Sequence, residues 1–151
     1  MTANPLSQSE IIPMLSRVSI FTGVDIIELK LLADRCVFEY FKTDEKVIEQ
    51  DEPGDKLYII VRGTVAVWVK SQTLDWQRIN TLGPGDVFGE IAILRNVPRT
   101  ARITTLTNCQ FLSICAKDFL DLYQYFPARA RDNIQLVVAK RLQERGLYIN
   151  L

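Results

Sequence analysis

Histidine is missing from all 151 residues, which removes the Ser-His and Cys-His nucleophile pairs from consideration. Any general base would have to be a tuned carboxylate, lysine or tyrosine, and neither a HExxH nor a GxSxG string is present. A metal-dependent jelly-roll enzyme of the cupin type needs a histidine-rich ligand set, so the chain is expected not to be an enzyme. Cysteine is equally sparse. Cys36, Cys109 and Cys115 form no Cys-x-x-Cys pair and no zinc shell, and are expected as buried free thiols. Charge of either sign is not in excess: 18 Lys and Arg offset 18 Asp and Glu, so nothing pulls the whole chain towards nucleic acid or an anionic membrane. No apolar run approaches the roughly 20 residues that cross a bilayer, and Met1–Glu10 is polar, without a signal-peptide core. No membrane insertion and a cytoplasmic location are therefore expected. The length suits a single domain with its own core.

What is present is a mainly β pattern with flanking helices. Asp25-Ile-Ile-Glu28 reads as a variant capping box opening a short helix to about Ala33. From Cys36 to Cys115 come short β-rich runs: Cys36–Phe41, Lys46–Ile48, Leu57–Val61, Thr64–Lys70, Arg78–Leu82, Arg102–Leu106 and Gln110–Cys115. Turn chemistry separates them at Pro53-Gly54-Asp55, Arg62-Gly63, Gly83-Pro84-Gly85-Asp86 and Thr107-Asn108. Seven or eight short strands at this spacing predict an antiparallel sandwich or barrel, with a β-jelly-roll (double-stranded β-helix) barrel as the natural closed form. Helical periodicity returns over Lys117–Tyr125, breaks at Pro127 and resumes over Ala128–Arg145. On that last helix Ile134, Val137, Val138, Arg141 and Leu142 share one face. Arg141 either snorkels over the core or reaches into a ligand pocket.

The densest chemistry lies in Phe88-Gly-Glu-Ile-Ala-Ile-Leu-Arg-Asn-Val-Pro-Arg-Thr-Ala101, between two strands. Gly89 permits close backbone approach, and a helical turn over Glu90–Leu94 would offer free N–H groups to an anion. Arg99 supplies a planar guanidinium able to grip two oxygens of one phosphate, and Thr100 a hydroxyl donor. Glu90 is out of place in an anion cradle unless it has a donor of its own, such as a sugar hydroxyl; a sugar phosphate satisfies both charges. The competing explanation is a buried Glu90–Arg99 ion pair that holds the loop and binds nothing.

The stretch resembles the phosphate-binding cassette of the cyclic-nucleotide-binding domain family, and Val47-Ile48, Gly54, Leu57-Tyr-Ile-Ile60 and Gly63 resemble its other signature. Asp51 stands where the family usually has glycine. The resemblance runs from about Leu15 to Gly146, leaving 1–14 as an N-terminal polar segment and 15–146 as one domain with an N-terminal helix and C-terminal lid helices. It implies cAMP or cGMP as ligand, with Glu90 accepting from the ribose 2′-hydroxyl, Arg99 pairing with the cyclic phosphate, and backbone groups of Gly89, Ile91 and Ala92 completing the cradle. Thr100 matches a position whose hydroxyl touches phosphate or a guanine amino group, a slight lean towards cGMP. Arg141 aligns with a base-contacting arginine of the lid helix. Signalling would follow from movement of that helix onto an effector protein, or within a larger channel or regulator chain. Without a helix-turn-helix after Gly146–Leu151, a regulator of the catabolite-activator type looks incomplete. A ligand-free interaction or structural domain of the same fold is the alternative.

Overall fold

The computed structural model describes residues 8–149. The chain folds back on itself so that the first strand meets the last. β1 (Val37–Phe41) pairs with β8 (Cys109–Cys115), and β2 (Lys46–Ile48) with β7 (Arg102–Thr105). Likewise β3 (Lys56–Arg62) pairs with β6 (Val87–Phe88), and β4 (Val65–Lys70) with β5 (Trp76–Leu82). All these pairs are antiparallel, and they assemble into two four-stranded sheets ordered β1-β8-β3-β6 and β2-β7-β4-β5. A long double hairpin rolled into two sheets is the jelly-roll form of an all-β domain. The strands run close to the sequence expectation; the exception is β6, whose two residues are too few to show an alternation.

Alternation explains why the sheets stack this way. In β3, Tyr58 and Ile60 point between the sheets while Leu57 and Ile59 point to the helices, and β8 splits in the same fashion into Phe111 and Leu112 with Ile114. Both faces of these strands are buried, so they read as continuous apolar runs. The inter-sheet core is aromatic at its centre: Tyr58 stacks on Phe88 at 4.9 Å and Phe111 meets Phe88 edge-on at 5.3 Å. β5 is a sheet edge, and its Gln77, Arg78, Asn80 and Thr81 are exposed.

The second core lies between the outer face of the β1-containing sheet and the helices. α1 (Gln8–Ser16) contributes Ile11 and Leu15, α2 (Ile26–Arg35) Leu29 and Leu32, and α4 (Ala116–Tyr123) Phe119 and Leu122. Part of the 1–14 segment expected as a polar lead-in thus packs on the domain; residues 1–7 lie outside the described residues, as do 150–151 of the C-terminal stretch. The expected cap on α2 does not form: the Asp25 side chain makes no capping hydrogen bond, and only its carbonyl accepts, from the Leu29 N–H at 3.0 Å. Glu28 makes no hydrogen bond back to the Asp25 N–H, and one of its buried oxygens has no partner. Cys115 is exposed rather than buried. Pro127 cannot extend the α4 ladder, and α5 (Ala128–Ile149) starts directly after it. Asn133 ties the start of α5 to the carbonyls of Ser19 and Ile20, and Ile134 and Val138 are fully buried below it. This fixes the line along which α5 crosses the strands. No helix among the described residues is long and apolar enough to cross a membrane.

Candidate functional site

The site begins where β6 ends. Gly89 follows Phe88 with φ of +86°, a backbone state that side chains resist, and a Cβ there would sit 2.8 Å from both Arg99 Nη1 and the Lys56 carbonyl. The turn it permits launches α3 (Glu90–Arg95), which ends at Asn96 in the left-handed conformation. Six residues give little dipole, so the field of the site comes mainly from side chains. Ile91 is buried in the helix-side core, Ala92 is buried beside it, and both line a narrow cleft.

The loop from α3 to β7 carries Arg99 and Thr100. Arg99 is 6 % exposed and stitches three segments together. Its backbone N–H donates to the Glu52 carbonyl and its carbonyl accepts from the Asp51 N–H, both at 2.8 Å. Its guanidinium donates to the carbonyls of Gly89 and Lys56, also at 2.8 Å. Gly54 makes room for this: a Cβ there would fall 2.6 Å from Arg99 Nε. Burial pushes the guanidinium below its ordinary pKa, while Tyr58, Asp55 and Glu90 push the other way; it remains a cation with N–H groups to spare.

Glu90 is completely buried. Its Oε1 accepts from Arg141 Nη1 at 2.7 Å, and Arg141 Nη1 also donates to the Val87 carbonyl at 2.6 Å. The other oxygen, Oε2, is buried with no hydrogen-bond partner. The Glu90–Arg99 ion pair considered from sequence is thus replaced by a Glu90–Arg141 pair. Arg141 does not snorkel into water; it covers Glu90. The expected common cavity for Glu90 and Arg99 is realised on one side only. Arg99 lines this narrow cleft with Gly89, Ile91, Ala92 and Thr100, whereas Glu90 is not part of its wall.

One residue of the site was not foreseen. Arg145, a helical turn beyond Arg141 on α5, is 9 % exposed, lines the same cleft and donates from Nη1 to Thr100 Oγ1. Its signal was the i, i+4 continuation of the face that carries Val138 and Arg141, obscured because the helix was expected to end there. Arg145 also lines a second narrow cleft bounded by Val67, Ile79, Leu82 and Arg141. Arg102 grips Glu49 with two hydrogen bonds of 2.9 Å and lies 3.7 Å over the Trp76 ring. No group of three or more Cys, Asp or Glu able to hold a metal occurs among the described residues.

Residues 38–126 match the family model described as the cyclic nucleotide-binding domain. Among curated proteins, the type I-alpha regulatory subunit of cAMP-dependent protein kinase from Mesocricetus auratus is 41% identical over 86 residues, 56% of this chain and 50% of that protein. A CRP-like cAMP-activated global transcriptional regulator of Mycobacterium tuberculosis is 30% identical over 130 residues, 86% of this chain and 58% of the regulator. The chain therefore spans about half the length of the curated relatives it matches. Among solved structures, the regulatory domain of Toxoplasma gondii PKA with cAMP superposes with a TM-score of 0.79 at 25% identity, covering 91% of this chain and 50% of that one. The family match stops at Phe126, before α5 with its Arg141 and Arg145. With a jelly roll, the Gly89–Ala101 cassette and a matched stretch running from β1 to the end of the α4 region, the chain belongs to the cyclic-nucleotide-binding domain family.

Proposed function

We propose that this chain is a non-catalytic sensor domain that binds cAMP in the cleft between α3, the Arg99 loop and α5. The observation that carries it is the charge arrangement around Glu90: a fully buried carboxylate keeps one oxygen without a donor, next to a cleft walled by the buried Arg99. A lone polar atom in such a position is costly unless something donates to it, and a ribose 2′-hydroxyl is a donor of the right kind. The cyclic phosphate would sit on Arg99 and the backbone of Gly89, Ile91 and Ala92. Thr100, whose oxygen already accepts from Arg145, has its hydrogen left for a phosphate oxygen, which favours a phosphate role over one on a guanine. The cAMP named for the kinase subunit, the mycobacterial regulator and the Toxoplasma domain supports the same ligand.

Binding is read out through α5. Arg141 on that helix shares Glu90 with the ligand, so occupancy and helix position are thermodynamically linked, and the helix passes the signal to an effector protein or to the rest of a longer cytoplasmic chain. The domain is proposed to run from α1 through α5 as one unit. Titration calorimetry with cAMP and cGMP tests the proposal. cAMP is expected to bind, and Arg99→Ala to weaken it by about 2–4 kcal/mol through loss of a charge-assisted partner. Absence of heat with either nucleotide at millimolar concentration would instead identify a ligand-free interaction domain.

A further inference from the structure

Arg99 and Arg145 are both more than nine-tenths buried, and neither has a carboxylate of the described residues within ion-pair distance. Both line the same narrow cleft. Buried cations are normally paired, because the cost of leaving water is recovered only against a counter-charge. Two of them facing one small space, from elements as distant as the Arg99 loop and α5, mark a place for an anion.

The remaining polar groups point the same way. Thr100 Oγ1 accepts from Arg145, so the hydroxyl can turn its hydrogen into the cleft. The walls then offer donors: two guanidinium groups, a hydroxyl and the backbone N–H groups at the start of α3. This donor-rich lining suits an acceptor-only group such as a phosphate diester. It suits the adenine N6/N7 edge less, because the N6 amino group is itself a donor. On α5, Arg141 and Arg145 are like charges four residues apart, an arrangement that opposes docking of the helix. Glu90 makes its ion pair with Arg141 and, with Glu144, acts on Arg145 only from beyond ion-pair distance. A negative charge in direct contact with Arg145 would complete its pairing.

We propose that Arg145 is a second phosphate-binding guanidinium, delivered by α5, so that the phosphate bridges Arg99 on the domain body and Arg145 on the helix. This rests on the cyclic-nucleotide reading of the same cleft and specifies its regulation: the ligand's charge, rather than its base, clamps the helix.

The test is calorimetry on the full chain with wild type, Arg145→Gln and Arg145→Lys, each titrated with cAMP and with cGMP. The glutamine variant is expected to lose about 10–100-fold in affinity, by the same factor for both nucleotides, and the lysine variant distinctly less. Unchanged or tighter binding by the glutamine variant would show that Arg145 is an internal plug, and a loss confined to one nucleotide would show that it reads the base; either result overturns the proposal. A measurement on the wild-type chain covers failure of the variants to fold and failure of the nucleotide reading itself. The Arg145 side-chain Nε–Hε resonance is followed while inorganic phosphate is added to millimolar concentration. A saturable shift upholds an anion site at Arg145 even if neither nucleotide binds, and no shift rejects it.

Discussion

Glu90 and Arg99 sit nine positions apart and are held by different means, which sets what each can do. Arg99 is fixed by backbone carbonyls on both terminal nitrogens, so its remaining donors are held in place and the proposed binding would carry little ordering cost there. Glu90 is held by a side chain of a separate helix, so its availability depends on where that helix lies. A third residue, Asp51, supports Arg99 from the neighbouring turn through its N–H, and does so with φ of +71°. An L-residue other than glycine is strained there, and aspartate only partly escapes the penalty. Asp51→Gly is expected to stabilise the fold by about 0.5–1 kcal/mol, a rise of a few degrees in Tm, because the hydrogen bond is a backbone one and survives. A lower melting temperature in the variant would mean that the aspartate side chain contributes more than the strain removes.

At the scale of elements, the end of β2 is joined to β7 by charge as well as by the ladder. Glu49 accepts two hydrogen bonds from Arg102 and one from Lys46, and these hold its pKa at about 2 against an ordinary value of 4.5. A carboxylate depressed in the folded state contributes stability that is complete above about 4.5 and is lost as pH falls towards about 2. The pair also frames the stack of Arg102 on Trp76, so tryptophan fluorescence reports on it. In urea unfolding at stepped pH, wild type is expected to exceed Glu49→Gln in stability at neutral pH, with the gap closing through the window from 4.5 to 2. Parallel curves across that window would remove the assignment. The clamp matters to the site because Arg102 opens β7 immediately after Thr100 and Ala101.

For the whole molecule, the consequence is that the proposed ligand site is completed by an element that the family match does not include. The barrel supplies Arg99, Thr100 and the α3 backbone, and α5 closes over them with Arg141 and Arg145. If the ligand favours the docked helix, the population shifts towards it by the difference in affinity. Hydrogen exchange should then show α5 amides slowing with saturating cAMP together with those of α3 and the Arg99 loop. Protection of the barrel segments with α5 unchanged would separate binding from helix movement.

Local encoding accounts for what the sequence by itself determined. Alternation, turn residues and the break at Pro127 are written in neighbouring positions, so most strands, both C-terminal helices and the composition of the Gly89–Ala101 cassette were legible before any coordinates. The tertiary structure decided everything that depends on residues far apart in the chain. It joined β1 to β8, buried Ile11 of a segment that reads as polar, and replaced the expected Asp25 cap by a backbone contact. It also gave Glu90 a partner 51 residues away and brought Arg145 onto a hydroxyl 45 residues away. A charge has no period and no local signature of its mate, so which cation neutralises which carboxylate is settled only when packing brings them together.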